Sequence, residues 1–239
     1  MYKETNLRSV LKTISWRFLA TLTTFSLVWI FTGKIDTALT VGGLEVIIKM
    51  IIYFFHERGW NKVKWGRKHI EPFVVWITGL SGSGKTEVAR IVARDLRNRK
   101  FNTDHLDGET IRDIFPRTGF SRGEVNRHIE RVGLLASRLE KNGVFVVASF
   151  ISPFGESREF VRSLCDNFIE IHLSTPLEYC EKIDYNNLYS RARSGEVKNL
   201  AGVDVEYEDP ESPDLVLDVS ELGIEKTAEK VNLYLRKFM

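Results

Sequence analysis

Eight consecutive residues carry the clearest chemistry in the chain: Gly79, Leu80, Ser81, Gly82, Ser83, Gly84, Lys85 and Thr86. Glycine, four residues, glycine, lysine and a hydroxyl residue form a phosphate-binding pattern for physical reasons. The glycines let backbone N–H groups turn inward around an anion, and the first turn of a following helix adds partial positive charge. Lys85 is then placed to reach the β- and γ-phosphates of a nucleotide, and the Thr86 hydroxyl to reach Mg²⁺. Further on, Asp107 closes a short run, Asp104 to Asp107, at the position where an open α/β sheet gathers its ligands. A carboxylate there meets Mg²⁺ or takes a hydroxyl proton, or else caps the helix expected over Glu109–Phe115. Ser152 follows an apolar run and precedes Pro153. An aromatic and a serine at such a strand end suit a planar ligand and a phosphoryl group, or an ordinary turn with serine as cap. Arg191, Arg193 and Lys198 lie in a polar stretch, Tyr185 to Lys198. It reads as a cationic lid over the transferring group, or as a solvated helix.

The elements that must position these groups are legible around them. Phe73–Thr78 is an apolar strand entering the loop, and Glu87–Arg99 a helix leaving it. Ser121–Asn142 is a long amphipathic helix with Ile129, Val132, Leu135, Ala136 and Leu139 at helical spacing. Its other faces hold Arg122, Arg127, His128 and Arg131, either a solvated face or a basic surface toward an anionic substrate. Val144–Ser149 is apolar throughout and is expected as a central parallel strand. Strands are also expected at Phe168–Leu173 and Leu215–Asp218, a short helix from Thr175-Pro176 and a closing helix over Ile224–Phe238. The alternation predicts an α/β domain over residues 72–239, a parallel sheet flanked by helices.

The loop starts late because something precedes it. Among 34 basic and 32 acidic residues, residues 1–70 hold 11 basic and four acidic. A basic N-terminal segment therefore sits ahead of a mildly acidic domain, a split that points to a membrane or nucleic-acid partner. Ile14–Phe31 and Thr37–Phe55 are apolar runs near the ~20 residues a helix needs to cross a bilayer. A turn of five residues joins them, which predicts an α-helical transmembrane hairpin over residues 1–58, embedded through residues 14–55. Lys3, Arg8, Lys12 and Arg17 precede it or lie at its start. Arg58, Lys62, Lys64, Arg67 and Lys68 follow, so both ends are expected on the cytoplasmic side. Trp16, Trp29, Trp60 and Trp65 suit interfacial anchors. Glu45 and Lys49 can pair four residues apart, as a structural tie or as an intramembrane functional pair. A buried soluble helical hairpin is the rival reading of this segment. Two runs without a small-residue cleavage site fit a cleaved signal poorly. Residues 59–71 read as a basic juxtamembrane linker. The basic stretch lacks interleaved base-stacking positions, which argues against nucleic acid. Cys165 and Cys180 lack metal-ligand spacing and are expected as reduced thiols in a cytosolic domain.

From Phe73 onward the chain resembles the adenylylsulfate kinase (APS kinase) family. The matching stretches are GLSGSGKT, LDGETIR, GF-S, SFISP, EIHLSTPLEYCE, LYSRARSGEVKN and GVDVEYEDPESPDLVLD, in order. The resemblance implies a P-loop kinase that moves the γ-phosphoryl of ATP to the 3′-hydroxyl of adenylylsulfate, with Mg²⁺. It implies ATP-binding residues at Gly79 through Thr86, catalytic roles for Lys85, Asp107 and Ser152, and metal contacts at Thr86 and Asp107. Ser152 matches a serine described in the family as a phosphoserine intermediate, for which substrate positioning is an equal reading. Arg112, Phe120, Ile151 and Ser152 match acceptor-binding positions, and the lid cations are Arg191, Arg193 and Lys198. Homologous kinases are commonly dimers, so a homodimer is among the expected forms. Residues 5–68 resemble a family of two-span bacterial membrane domains of unknown function, which implies an inner-membrane location with the kinase cytoplasmic.

The acceptor half departs from the family. Its Asp-Arg is Glu124-Val125 here, its Asn is His128, one Arg is Glu130, and its lid Asp-Pro-Lys-Gly is Asp184-Tyr185-Asn186-Asn187. Its Gly-Phe is Asn199-Leu200, and leucine stacks less well on adenine than phenylalanine. Arg122 and Arg127 are the candidates to restore the lost charge. The expected function is a membrane-anchored, Mg-ATP-dependent kinase of a nucleotide acceptor. The rivals are a kinase for another nucleotide-linked or anionic small molecule, a non-catalytic nucleotide-binding membrane sensor, and a hairpin served by the kinase domain.

Overall fold

The computed structural model describes residues 6–62, 70–114, 119–184 and 186–239. Lys3, Lys64, Trp65, Arg67, Lys68, Phe115 and Tyr185, and so most of the expected linker, lie outside the described residues. So do the side chains of Arg8, Lys12, Trp16, Arg17, Trp60 and Lys62. The chain forms two units, Met1–Lys68 and His69–Met239.

The first unit is a pair of helices, α1 (Asn6–Thr32) and α2 (Ile35–Lys62). Gly33 makes the turn with φ +64°, and its N–H donates to the Trp29 carbonyl at 2.8 Å. Left-handed backbone of this kind favours glycine. Thr24 of α1 donates to Glu45 Oε1 of α2 at 3.0 Å, and Lys49 donates to the same oxygen. The Glu45/Lys49 pair therefore forms, and it also ties the two helices. Ile35–Phe55 is long and apolar enough to cross a membrane, and Leu39, Ile47, Ile51 and Phe55 on it are exposed. In α1 the apolar part among the described residues is Ala20–Thr32, shorter than the run read from the sequence.

The second unit is built on a five-stranded parallel sheet, β1 (Val74–Gly79), β2 (Thr103–Asp107), β3 (Phe145–Ser149), β4 (Phe168–Leu173) and β5 (Leu215–Leu217). Their order in the sheet is β2-β3-β1-β4-β5. β1 is central, and every residue of it is buried. Alternation along β1 separates two cores. Val75 and Ile77 face the helices α3 (Lys85–Asn98) and α9 (Val219–Leu235), against Val88, Val92, Ala228 and Val231. Val74 and Trp76 face the other side, against Ile129 and Val132 of α5 (Arg122–Lys141) and Val161 of α6 (Gly155–Leu164). Three shorter helices lie between them: α4 (Gly108–Ile114), α7 (Leu177–Lys182) and α8 (Leu188–Arg193). Gly223 (φ +74°) breaks the start of α9, so its regular part begins where the sequence placed it.

Helix α6 has no counterpart in the sequence reading. Its buried face consists of Ser157, Arg158 and Val161, so polar residues occupy core-facing positions and the apolar period is absent. It packs on α5 at Gly133, where an added Cβ would meet Val161 Cγ2 at 2.4 Å. Valine is stiff at χ1 and cannot swing away. Gly133→Ala is therefore expected to destabilise the second unit by about 1–3 kcal/mol through overpacking. Calorimetric melting of the full chain in detergent, beside Gly123→Ala at an unobstructed helical position, checks it.

Candidate active site

The loop Gly79–Gly84 runs from the end of β1 into the N-terminus of α3. Two of its glycines are forced. Gly79 has φ +151°, and a Cβ there would lie 2.6 Å from the Leu173 carbonyl oxygen; Gly84 caps α3 with φ +86°. Lys85 is buried, with its ammonium donating to the Leu80 carbonyl and to Ser83 Oγ at 3.4 Å. Burial pushes its pKa down to about 8, against the pull of Cys180, Glu87 and Asp107. The ammonium is thus held within the loop with its charge weakened by burial, and a bound anion would favour the charged form.

Asp107 ends β2, and the capping role read from the sequence is formed. Its Oδ1 accepts from the Glu109 N–H at 3.1 Å, which caps α4. Its Oδ2 accepts from the Thr86 hydroxyl at 2.8 Å and the Ser149 hydroxyl at 3.0 Å. His105 Nε2 lies 3.0 Å from Ser149 Oγ. Burial works against the carboxylate, but these hydrogen bonds outweigh it and hold its pKa below the usual carboxylate value. Hard oxygen donors at the mouth of a phosphate loop suit Mg²⁺, which takes one or two protein oxygens and completes its shell with phosphates and water. Thr86 and Asp107 are the residues that fit this ion. Among the described residues no group of three or more His, Cys, Asp or Glu could hold a metal.

Ser152 is 1 % exposed and lies in a saturated network. Thr78 donates to the Ile151 carbonyl at 2.7 Å, which uses its single proton. Ser152 Oγ, 2.9 Å away, and the Tyr207 hydroxyl, 2.8 Å away, therefore both donate to Thr78 Oγ1. The Trp76 indole N–H donates to Ser152 Oγ at 3.1 Å. Burial pushes the Tyr207 hydroxyl up to about 12, which keeps it a donor. Ser152 has φ +37°, a conformation that costs about 1–3 kcal/mol for a residue with a Cβ. Its hydroxyl proton is committed, and no acid or base is among its partners. None of Trp76, Thr78 or Tyr207 was singled out from the sequence. The available signal was a polar residue closing an otherwise apolar strand.

Arg112 and Phe120 come together, with the guanidinium 4.4 Å over the ring. Arg112 Nη1 is buried without a hydrogen-bond partner among the described residues, and Phe120 is 55 % exposed. The His128 ring lies 6.2 Å from Phe150. In the lid, Arg191 pairs with Glu196 at 2.7 Å and Arg193 pairs with Glu181, while Lys198 is exposed. Tyr189 of α8 donates to the Ser81 carbonyl at 2.7 Å and ties this segment to the phosphate loop.

Residues 71–218 match the family model for adenylylsulphate kinase, and residues 10–61 match a predicted membrane protein family, DUF2061. The chain belongs to the APS kinase family. An adenylyl-sulfate kinase of Halothermothrix orenii is 40% identical over 164 residues, 68% of this chain and 89% of that protein. One of Shewanella pealeana is 43% identical over 157 residues, 64% of this chain and 77% of that protein. The fold is shared with the Mycobacterium tuberculosis APS kinase CysC, solved in complex with AMPPNP and APS: TM-score 0.67, 34% identity, covering 70% of this chain and 99% of that one. The parallel sheet, the phosphate loop and these relatives identify a P-loop phosphotransferase.

The positions where this member departs from its family have structural explanations. Glu124 reaches back to the Ser121 N–H at 3.2 Å and caps α5. Val125 packs on the Trp76 core. His128 is 2 % exposed, which corrects the surface position read from the sequence. Burial, then the charges of Arg112 and Arg131, push its pKa down to about 4, so it is neutral at physiological pH. Arg122, a candidate to replace the missing family arginine, pairs with Glu156 at 3.0 Å and Glu208 at 2.9 Å and lies over the Phe154 ring. Leu200 is buried with Cys180, Tyr189 and Ala192 beneath the lid segment and is not presented as a stacking surface. Asn186 is exposed. Both thiols are free, and burial pushes Cys165 up to about 12 and Cys180 to about 11.

The Lys85 environment sets a pH dependence. Its folded value lies below that of free lysine, so the charged form is present below about 8 and is lost above it. Nucleotide affinity is expected to be flat below this value and to fall above it by up to about tenfold per pH unit. Calorimetric titration of ATP from pH 6.5 to 9.5 reads this. Lys85→Arg keeps its charge throughout and should lose the alkaline limb.

Proposed function

We propose that this chain transfers the γ-phosphoryl of ATP to the 3′-hydroxyl of adenylylsulfate, giving 3′-phosphoadenylylsulfate, and so acts in sulfate activation. The observation that carries the reading is the oxygen cluster of Thr86, Asp107 and Ser149 at the end of β2 and β3, beside a complete phosphate loop. The names of the relatives support the choice of acceptor. In this reading the loop N–H groups and Lys85 hold the β- and γ-phosphates, and Thr86 and Asp107 hold Mg²⁺. When bound, that ion neutralises charge on the phosphate oxygens. The bond formed joins the acceptor oxygen to Pγ, and the bond broken joins Pγ to the β,γ-bridging oxygen, releasing ADP. The acceptor proton leaves toward Asp107. A weakly basic carboxylate suffices in a loose transition state, because the nucleophile is only lightly bonded when the barrier is crossed. Arg112 and Phe120 pair charge with a flat apolar face, which suits an anionic nucleotide. Arg191, Arg193 and Lys198 supply the cations of a closing lid. Ser152 acts by position and not as a covalent carrier, since its proton is already donated to Thr78.

Incubation of the purified full chain with ATP, Mg²⁺ and adenylylsulfate is expected to give the 3′-phosphorylated product and ADP in equal amounts. Asp107→Asn should lower kcat by ~10²–10⁴. It should also raise the Mg²⁺ concentration needed for half-maximal rate. A second reading, a kinase of another anionic small molecule, is favoured by Val125 and the buried neutral His128. It predicts ADP release with a different acceptor in the same assay and none with adenylylsulfate.

The N-terminal unit anchors the enzyme in this proposal. The match to a predicted membrane protein family and the apolar surface of Ile35–Phe55 support it. A hairpin with both ends and the kinase on the cytoplasmic face of a bacterial inner membrane follows from the flanking lysines and arginines. Reporter fusions at residues 1 and 239 are expected to be active only in cytoplasmic form. A fusion in the turn at Gly33 should report the opposite side.

A further inference from the structure

Arg158, on the helix the sequence did not reveal, holds more of the acceptor side together than any residue matched to the family's binding positions. It is 3 % exposed. Its Nη1 donates to the Ser152 carbonyl at 2.7 Å and its Nη2 to the Glu208 carbonyl at 2.6 Å. Its Nε pairs with Glu170 Oε1 on β4 at 3.1 Å, and that carboxylate is equally buried. The guanidinium lies 5.8 Å from the centre of the Tyr207 ring. One planar fork thus fixes three chain segments: the loop after β3, the strap around Glu208, and β4.

The strap is bound to the same loop at other points. The Glu208 N–H donates to the Pro153 carbonyl at 2.8 Å, and the Glu208 carboxylate accepts from the Gly155 N–H at 2.7 Å. With the Ile151 carbonyl taken by Thr78 and the Ser152 carbonyl by Arg158, the two peptides around the left-handed Ser152 cannot flip without leaving a buried donor unpaired. A flipped peptide here would cost the desolvation of a charged group, which outweighs the strain at Ser152. The loop Ile151–Pro153 is therefore held in one conformation from behind.

We propose that Arg158 is the positioning residue of the acceptor site, clamping the Ile151–Pro153 loop and the Tyr207–Glu208 strap into the geometry that receives the acceptor. The proposal rests on the reading of Ile151 and Ser152 as acceptor-facing and not on which acceptor is used. Arg158 is buried with its donors directed at protein groups, and the phosphate loop is held by other contacts. Its loss should therefore appear at the acceptor and not at ATP.

Two variants test it in the full chain. Arg158→Lys keeps the charge for Glu170 but cannot bridge two carbonyls. Arg158→Met with Glu170→Met replaces the buried ion pair by apolar side chains of similar length, an exchange that buried pairs often tolerate. Both are expected to raise the acceptor KM by at least about tenfold while the ATP KM stays within about twofold of wild type. Amide hydrogen exchange at residues 150–155 should quicken in both, with residues 79–86 unchanged. An unchanged acceptor KM in a folded variant overturns the proposal, as does an ATP KM that rises in step. If wild type uses no adenylylsulfate, that assignment of the acceptor fails while the clamp is still judged, by the exchange at residues 150–155 against residues 79–86. Unaltered exchange there rejects it.

Discussion

One hydroxyl group joins the two halves of this kinase unit. Thr78 is fully buried at the end of the central strand, one residue before the phosphate loop. A hydroxyl has one proton to give and two lone pairs to fill. Here the proton goes to the Ile151 carbonyl, and the lone pairs take Ser152 and Tyr207. The strand that leads into the loop is thereby bonded to the loop opposite and to the strap behind it. In a buried setting each of these bonds is expensive to leave unmade. Displacement of the Ile151–Pro153 loop would leave the Thr78 hydroxyl unsatisfied, so that loop is registered on the central strand, which its two neighbouring strands hold independently.

The phosphate loop and the strands were legible in the sequence because both rest on local rules. Glycine at Gly79 and Gly84 reports backbone that other residues cannot adopt, and an unbroken apolar run such as Phe145–Ser149 reports a strand buried on both faces. Helix α6 was illegible because its inward face is Ser157, Arg158 and Val161, and periodicity counts only apolar positions. The same blindness hid His128. A histidine among arginines reads as surface, and only the packing of α5 on Phe150 turns it inward. Thr78, Trp76 and Tyr207 were missed for another reason: their partners lie more than seventy residues away, and no spacing rule connects them.

The departures from the family pattern fall into two physical kinds. Glu124 and Leu200 have taken structural work, one capping α5 and the other filling the core beneath the lid segment. Val125 and Glu130 instead stand where the family has arginines, so one loses a positive charge and the other reverses it, while His128 stands for a neutral asparagine. A neutral His128 beside a half-buried guanidinium adds no attraction for an anion, and the buried Nη1 of Arg112 has no hydrogen-bond partner among the described residues. Arg122 pairs with Glu156 and Glu208 and ties the strap to α6.

Much of the unit's buried ionic structure lies behind the Ile151–Pro153 loop. Arg158 and Glu170 are buried together, Arg162 adds a second contact to Glu170 at 2.6 Å, and Arg122 closes the outer edge. Buried pairs of this kind contribute little net stability against an apolar replacement, because desolvation offsets their attraction. What they add is geometry: a guanidinium fork fixes the direction of each carbonyl it meets. The loop after β3 is thereby held to one shape. In this kinase that shape is set by Ser152 at φ +37°, a strained residue held on one side by Thr78 and on the other by Arg158.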